Sequence, residues 1–122
     1  MGFLRNRGRR ARLSALADAI GARKGEVLGD EFSGGPGPNG PLTLGVITLR
    51  PGLEVDVAQA QIDAAVTAGY TNPPKPPCTR GCGFLNTPGL PLLVIETYAA
   101  GKVIPHHGQV PPGHTGVVVS LT

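Results

Sequence analysis

Leu42-Thr43-Leu44-Gly45-Val46-Ile47-Thr48-Leu49, then Arg50-Pro51-Gly52, then Leu53-Glu54-Val55-Asp56-Val57: this stretch decides the fold. The first eight residues are apolar and β-branched, as a buried strand requires. Arg50-Pro51-Gly52 is a turn, because Pro fixes φ and Gly tolerates the return. Leu53–Val57 alternates apolar and acidic residues, which predicts a second, half-buried strand. A helix is predicted over residues 57–68, with Asp56 as its cap, Gln59 at capping-box spacing and Gly69 as its stop. Ala60, Ala64, Ala65 and Ala68 are small enough to let that helix approach a sheet closely.

Further along, Leu92–Tyr98 reads as a central strand, Val103-Ile104 as a short one, and Thr115–Leu121 as a Val-rich terminal strand. Between them, residues 71–91 form a Pro/Gly-rich excursion too long for a structureless loop in so small a domain. Going the other way, Ser33-Gly34-Gly35-Pro36-Gly37-Pro38-Asn39-Gly40-Pro41 reads as a linker, since Pro blocks helix and central strand while Gly multiplies conformations. Before it, Leu13, Leu16, Ala17 and Ile20 recur at helical spacing, predicting a short helix over 11–20 that ends at Gly21. Three turns are unstable alone in water, so this helix needs a surface to lie on. The expected organisation is therefore a basic arm with a short helix (1–32), a Gly/Pro linker (33–41) and a small β-rich domain (42–122). The fold class is α+β, with one helix packed on the sheet.

Composition supports a single small unit. The 122 residues include 19 Gly, 13 Pro, no Trp, two Tyr and three Phe, so Val, Leu, Ile and Ala must build the core. Charge is unevenly placed. Residues 1–24 hold Arg5, Arg7, Arg9, Arg10, Arg12, Arg23 and Lys24 against Asp18 alone, whereas the remainder has four basic and seven acidic residues. A basic arm on a mildly acidic body points to an anionic partner. Arg5, Arg7, Arg9, Arg10 and Arg12, with the stripe Leu13, Leu16 and Ile20, are the candidate partner-binding residues. Deleting residues 1–24 is expected to leave the body folded. No run approaches the ~20 apolar residues of a membrane span, and the start does not read as a signal peptide.

Catalytic chemistry finds little support. Cys78 and Cys82, with His106, His107 and His114, are the soft-ligand candidates. Two unpaired thiols are the default reading; a disulfide and a zinc site are the alternatives. No metal or cofactor is expected. A cysteine nucleophile would need an orienting carboxylate and an oxyanion cradle, and neither can be nominated. Nucleic-acid contact would be limited to phosphate, for want of an aromatic stacking platform.

Leu49-Arg50-Pro51-Gly52-Leu53-Glu54-Val55-Asp56-Val57, followed by an Ala-rich helix closing at Ala68-Gly69-Tyr70, resembles small head and head–tail proteins of tailed phages infecting high-GC actinobacteria. The likeness covers about 22 residues and excludes the Cys-bearing loop. It implies a non-enzymatic virion protein of minor capsid or decoration type, bound to neighbouring capsid subunits through its arm, with no catalytic residues. Exposed Val-rich strand edges suggest a homo-oligomer. The alternative reading is a small Cys/His metal-binding adaptor whose arm meets an anionic partner.

Overall fold

The computed structural model describes residues 2–35 and 40–122, with side chains from residue 7 onward. The elements run α1 (Gly2–Ala19), β1 (Glu26–Ser33), β2 (Thr43–Pro51), α2 (Glu54–Thr67), β3 (Cys82–Phe84), β4 (Leu93–Tyr98), β5 (Val103–Ile104), β6 (Gly108–Gln109) and β7 (His114–Leu121). Five strands make one antiparallel sheet in the order β1-β2-β7-β4-β3, and β5 with β6 forms a small separate hairpin. The fold class is α+β. The terminal strand β7 lies at the centre, paired to β2 on one side and β4 on the other. Val117 and Val119 are buried and Val118, on the other face, is half-buried, which suits a central strand.

Period-two burial follows the sequence. On β2, Leu44, Val46, Thr48 and Arg50 face the core, and on β4 Leu93, Ile95 and Thr97 do the same. Val117, Val119 and Leu121 continue that face on β7. Both helices lie on it. Leu13 and Ala17 from α1 and Ile20 just after it join Val57, Ala58, Ile62 and Ala65 from α2 in a single apolar cluster. Tyr70 and Phe84 meet there with ring centroids 5.2 Å apart.

Several expectations are corrected here. Glu26–Ser33, read as part of an arm, is the edge strand β1, with Ser33 paired to Thr43 across the supposed linker. Of that linker, residues 36–39 lie outside the described residues. Its flanks are held, since the Gly35 N–H donates to the Gly40 carbonyl at 3.0 Å, as expected of a hairpin connection. Leu53–Val57 is not a strand. α2 begins at Glu54 with Leu53 as its N-cap, and Asp56 lies inside the first turn. One acidic residue per two positions is compatible with either state; at a helix start, carboxylates also offset the macrodipole. The helix of residues 11–20 extends back to Gly2.

The surface that α1 needed is the chain's own sheet. Leu13 and Ile20 are buried and Leu16 packs at the cluster's margin, so the stripe is occupied internally. Deleting residues 1–24 would therefore open the core, contrary to the expectation that the body would stay folded.

On the opposite sheet face the β5–β6 hairpin folds over Gly116. A Cβ there would sit 2.5 Å from Ile104 Cδ1 and 3.2 Å from Val110 Cγ2, so only glycine admits this close approach. The buried Tyr70 phenol donates to the Pro91 carbonyl at 2.8 Å. Burial pushes its pKa up to about 12 from 10.0. The folded state then keeps a proton that the unfolded chain loses. This contribution is complete below pH 10 and is lost as pH rises from 10 to 12. We expect the stability of the wild type to fall faster over that interval than that of Tyr70→Phe, read as urea midpoints. Parallel curves for the two proteins would contradict the assignment.

Candidate interaction site

α1 is fastened at its C-terminal end and carries its cations at the other. Fastening begins with Arg50 on β2, whose buried guanidinium donates to the carbonyls of Lys24 (3.1 Å), Gly21 (3.2 Å) and Ala22 (3.1 Å) and to Thr48 Oγ1 (3.1 Å). These carbonyls follow the last turn of α1, where helix termini leave acceptors unpaired and the macrodipole is negative. Burial pushes the Arg50 pKa down to about 10, so the group still carries its charge at neutral pH. Gln61 Nε2 on α2 donates to the Ile20 carbonyl at 2.7 Å. Arg23, counted with the arm's charges, bridges Asp30 of β1 at 2.6 Å and Asp18 of α1 at 2.7 Å. It also donates to the Ser14 carbonyl. Its pKa is raised by the Asp30 hydrogen bond, against partial burial, with Asp18 adding to the effect.

The other arginines of the N-terminal segment, Arg5 to Arg12, lie along α1 ahead of Leu13. Arg7, Arg9, Arg10 and Arg12 are exposed, and the Arg5 side chain lies outside the described residues. Arg10 is stacked over Phe32 of β1, with its guanidinium carbon 5.0 Å from the ring centroid. That contact holds one cation against the sheet edge. Arg9 and Arg12 line a cavity of about 560 Å³ between α1, the Gly89–Pro91 segment and Thr122 at the end of β7. Leu13, Leu90 and Pro91 supply apolar walls, and among the described residues no acidic side chain lines it. The arrangement suits a ligand that presents a carboxylate or phosphate beside an apolar group. No helix among the described residues is long and apolar enough to cross a membrane.

No protein-family model, no curated protein and no solved structure matches this chain.

The cysteines are joined. Cys78 and Cys82 form a disulfide with their Cα atoms 5.0 Å apart, which corrects the default reading of two unpaired thiols. It closes the turn ahead of β3 inside the core, where Cys78 is fully buried. The adaptor alternative thereby loses both sulfur ligands. The histidines are elsewhere. His107 lies against Gly29 of β1, at the opposite sheet edge from β3. His114 Nδ1 is 3.0 Å from the Pro112 carbonyl. Among the described residues no group of three or more His, Cys, Asp or Glu is placed to hold a metal.

Two features of the site escaped sequence reasoning. The cavity draws on residues 8–13, 89–91 and 122, and no local pattern links those segments. The role of Arg50 was hidden because its partners are backbone carbonyls, which carry no residue signature. The strand edges expected to self-associate are also poorly suited to it. β1 carries Glu26, Asp30 and Glu31 with a register irregularity between Val27 and Gly29, and β3 is three residues long. Charges, irregularities and short length are the features that oppose edge pairing.

Proposed function

We propose that this chain is a non-enzymatic virion structural protein of minor capsid or decoration type, which seats α1 against an acidic face of a neighbouring subunit. The observation that carries this reading is the construction of α1. Its C-terminal end is welded to the sheet through Arg50, Gln61 and Arg23, while Arg7, Arg9, Arg10 and Arg12 are presented at the surface. The first turn of α1 contains no acidic residue, and Arg7 with Arg10 and Arg9 with Arg12 stand three apart on one helix, where like charges repel, so the helix is not optimised for its own stability. An anionic partner removes that penalty and gains charge-assisted, bidentate contacts. The apolar stripe is already used inside the molecule, so recognition falls to the guanidinium groups. Phosphate is the weaker candidate target, because Tyr70 and Phe84 are buried in the core and Phe32 lies beneath Arg10. Among the described residues, that leaves the arginines without a free ring beside them for base stacking.

The test reverses the charges without disturbing the core. Arg7→Glu, Arg9→Glu, Arg10→Glu and Arg12→Glu, introduced together, change exposed positions and leave the buried stripe of α1 intact. We expect the melting temperature to change little while co-sedimentation with assembled particles weakens by roughly a hundredfold. Unchanged incorporation would remove the anchoring role, and loss of binding to nucleic acid alone would redirect it.

A further inference from the structure

The end of the sheet opposite the arginine cavity carries an apolar and acidic projection that the fold does not use. β2 runs from Leu44, paired with Leu121 beside the cavity, to Pro51, paired with His114. Seven residue steps at about 3.4 Å each separate the two ends by about 24 Å. At the far end Leu53 is 75% exposed and Val55 is 53% exposed, the former more so than any other large apolar side chain among the described residues. Asp56 is exposed beside them in the first turn of α2. Glu54, the other acidic residue of that turn, accepts a hydrogen bond from the Thr97 hydroxyl and faces inward. Asp56 is thus the outward carboxylate.

Leu53 breaks a local rule. It occupies the N-cap of α2 and makes no side-chain cap hydrogen bond. Ser, Thr, Asp or Asn would stabilise the helix there by accepting from its first N–H groups. A leucine that caps nothing and buries nothing marks a surface held for a partner, since such departures from local preference concentrate at functional positions. The two ends are complementary. One presents leucine and valine beside a carboxylate; the other offers a concavity walled by Leu13, Leu90 and Pro91 and flanked by Arg9 and Arg12.

We propose that the cavity receives the Leu53–Asp56 projection of a second copy of this chain. Leu53 and Val55 enter between Leu13, Leu90 and Pro91, and the Asp56 carboxylate meets Arg9 and Arg12. This deepens the structural reading above and rests on it for its setting. It also names the neighbouring subunit. Because the two surfaces lie at opposite ends of one molecule, a copy cannot satisfy itself. The contact is heterologous and propagates head to tail into a ring or a filament.

Two full-length variants test this. The cavity variant is Arg9→Glu with Arg12→Glu, and the projection variant is Leu53→Ser with Asp56→Asn, which offers the altered cavity no opposite charge. Serine improves the cap and so offsets the carboxylate lost from the helix start; circular dichroism and thermal melts should match the wild type. In sedimentation velocity at low ionic strength, the wild type is expected to form species larger than a dimer as concentration rises. Each variant alone should associate at least about a hundredfold more weakly. Mixed in equal amounts, they should form a one-to-one dimer and nothing larger, because each mixture holds one compatible pair of surfaces. A wild type that stays monomeric, variants that still assemble, or a mixture that fails to pair would each overturn the proposal. Loss of particle incorporation by the cavity variant with self-association unchanged would assign the cavity to a different subunit, ending this proposal while the structural reading stands. Normal self-association without any particle incorporation would do the reverse.

Discussion

Arg50→Leu is expected to destabilise the protein by about 3–5 kcal/mol, as the size of the buried network implies. A buried charge is expensive, and replacing a buried ion pair with apolar groups is often neutral. The outcome here is decided by what the guanidinium bonds. Its partners are the carbonyls of Gly21, Ala22 and Lys24 together with the Thr48 hydroxyl, and none of the carbonyls leaves when Arg50 does. Leucine would leave the buried Ala22 carbonyl without this donor, at about 1–3 kcal/mol, and remove the bonds to the partly buried Gly21 and Lys24 carbonyls as well. Domains of this size are stable by roughly 5–15 kcal/mol, so the loss is a large share of the total. The damage should also be local. Amide exchange in α1 should accelerate before that in β2, β7 and β4, since the substitution releases the helix end from the sheet. Arg50→Lys should fall between, because a single ammonium cannot reach all four acceptors. Urea titrations showing less than about 1 kcal/mol of change for Arg50→Leu would mean that α1 is held by its apolar face alone.

Gly25→Ala should be comparably severe, at about 3 kcal/mol or more. Gly25 stands between the turn that Arg50 ties down and the start of β1. Its φ is +89°, and a Cβ would lie 2.2 Å from the Leu49 carbonyl oxygen and 3.0 Å from Arg50 Cγ. The obstacle is backbone in a strand paired on both sides, so it cannot yield as a flexible side chain would. Gly101 supplies the control, because it has the same φ of +89° with nothing within 4 Å of the added carbon. Gly101→Ala measures the conformational penalty alone, about 1–2 kcal/mol. The excess of the first substitution over the second is then the cost of the clash. Equal losses at the two sites would show that α1 and its turn move freely against the sheet.

Both results bear on what the N-terminal segment is. An arm that folds separately would tolerate either change with little effect on the body. Here α1 closes one side of the core, and the arginines at its other end are displayed from a rigid base. Rigid display would lower the entropy lost on engaging the proposed partner.

Sequence alone determined the elements whose periodicity is clean. β2, β4 and β7 were legible because β-branched and apolar residues recur along them, and α2 because alanines extend to a glycine stop. The charge asymmetry that marks Arg5, Arg7, Arg9, Arg10 and Arg12 as a group was equally plain. β1 was not legible, because the register irregularity between Val27 and Gly29 sets Val27 and Leu28 side by side and breaks the alternation that marks a strand. Its acidic residues suit an edge and read as solvent-exposed chain. The Leu53–Val57 alternation was assigned the wrong period, since five residues are too few to separate a helix start from a strand. The tertiary structure alone decided that the Leu13, Leu16 and Ile20 stripe meets the chain's own sheet, because an amphipathic face states that it must be covered without stating by what. It alone decided the Cys78–Cys82 bond, the role of Arg50 and the cavity beside Arg9 and Arg12. The role of Arg50 and the cavity depend on segments far apart in sequence, brought together by strand order, and strand order is set by the packing of the whole sheet.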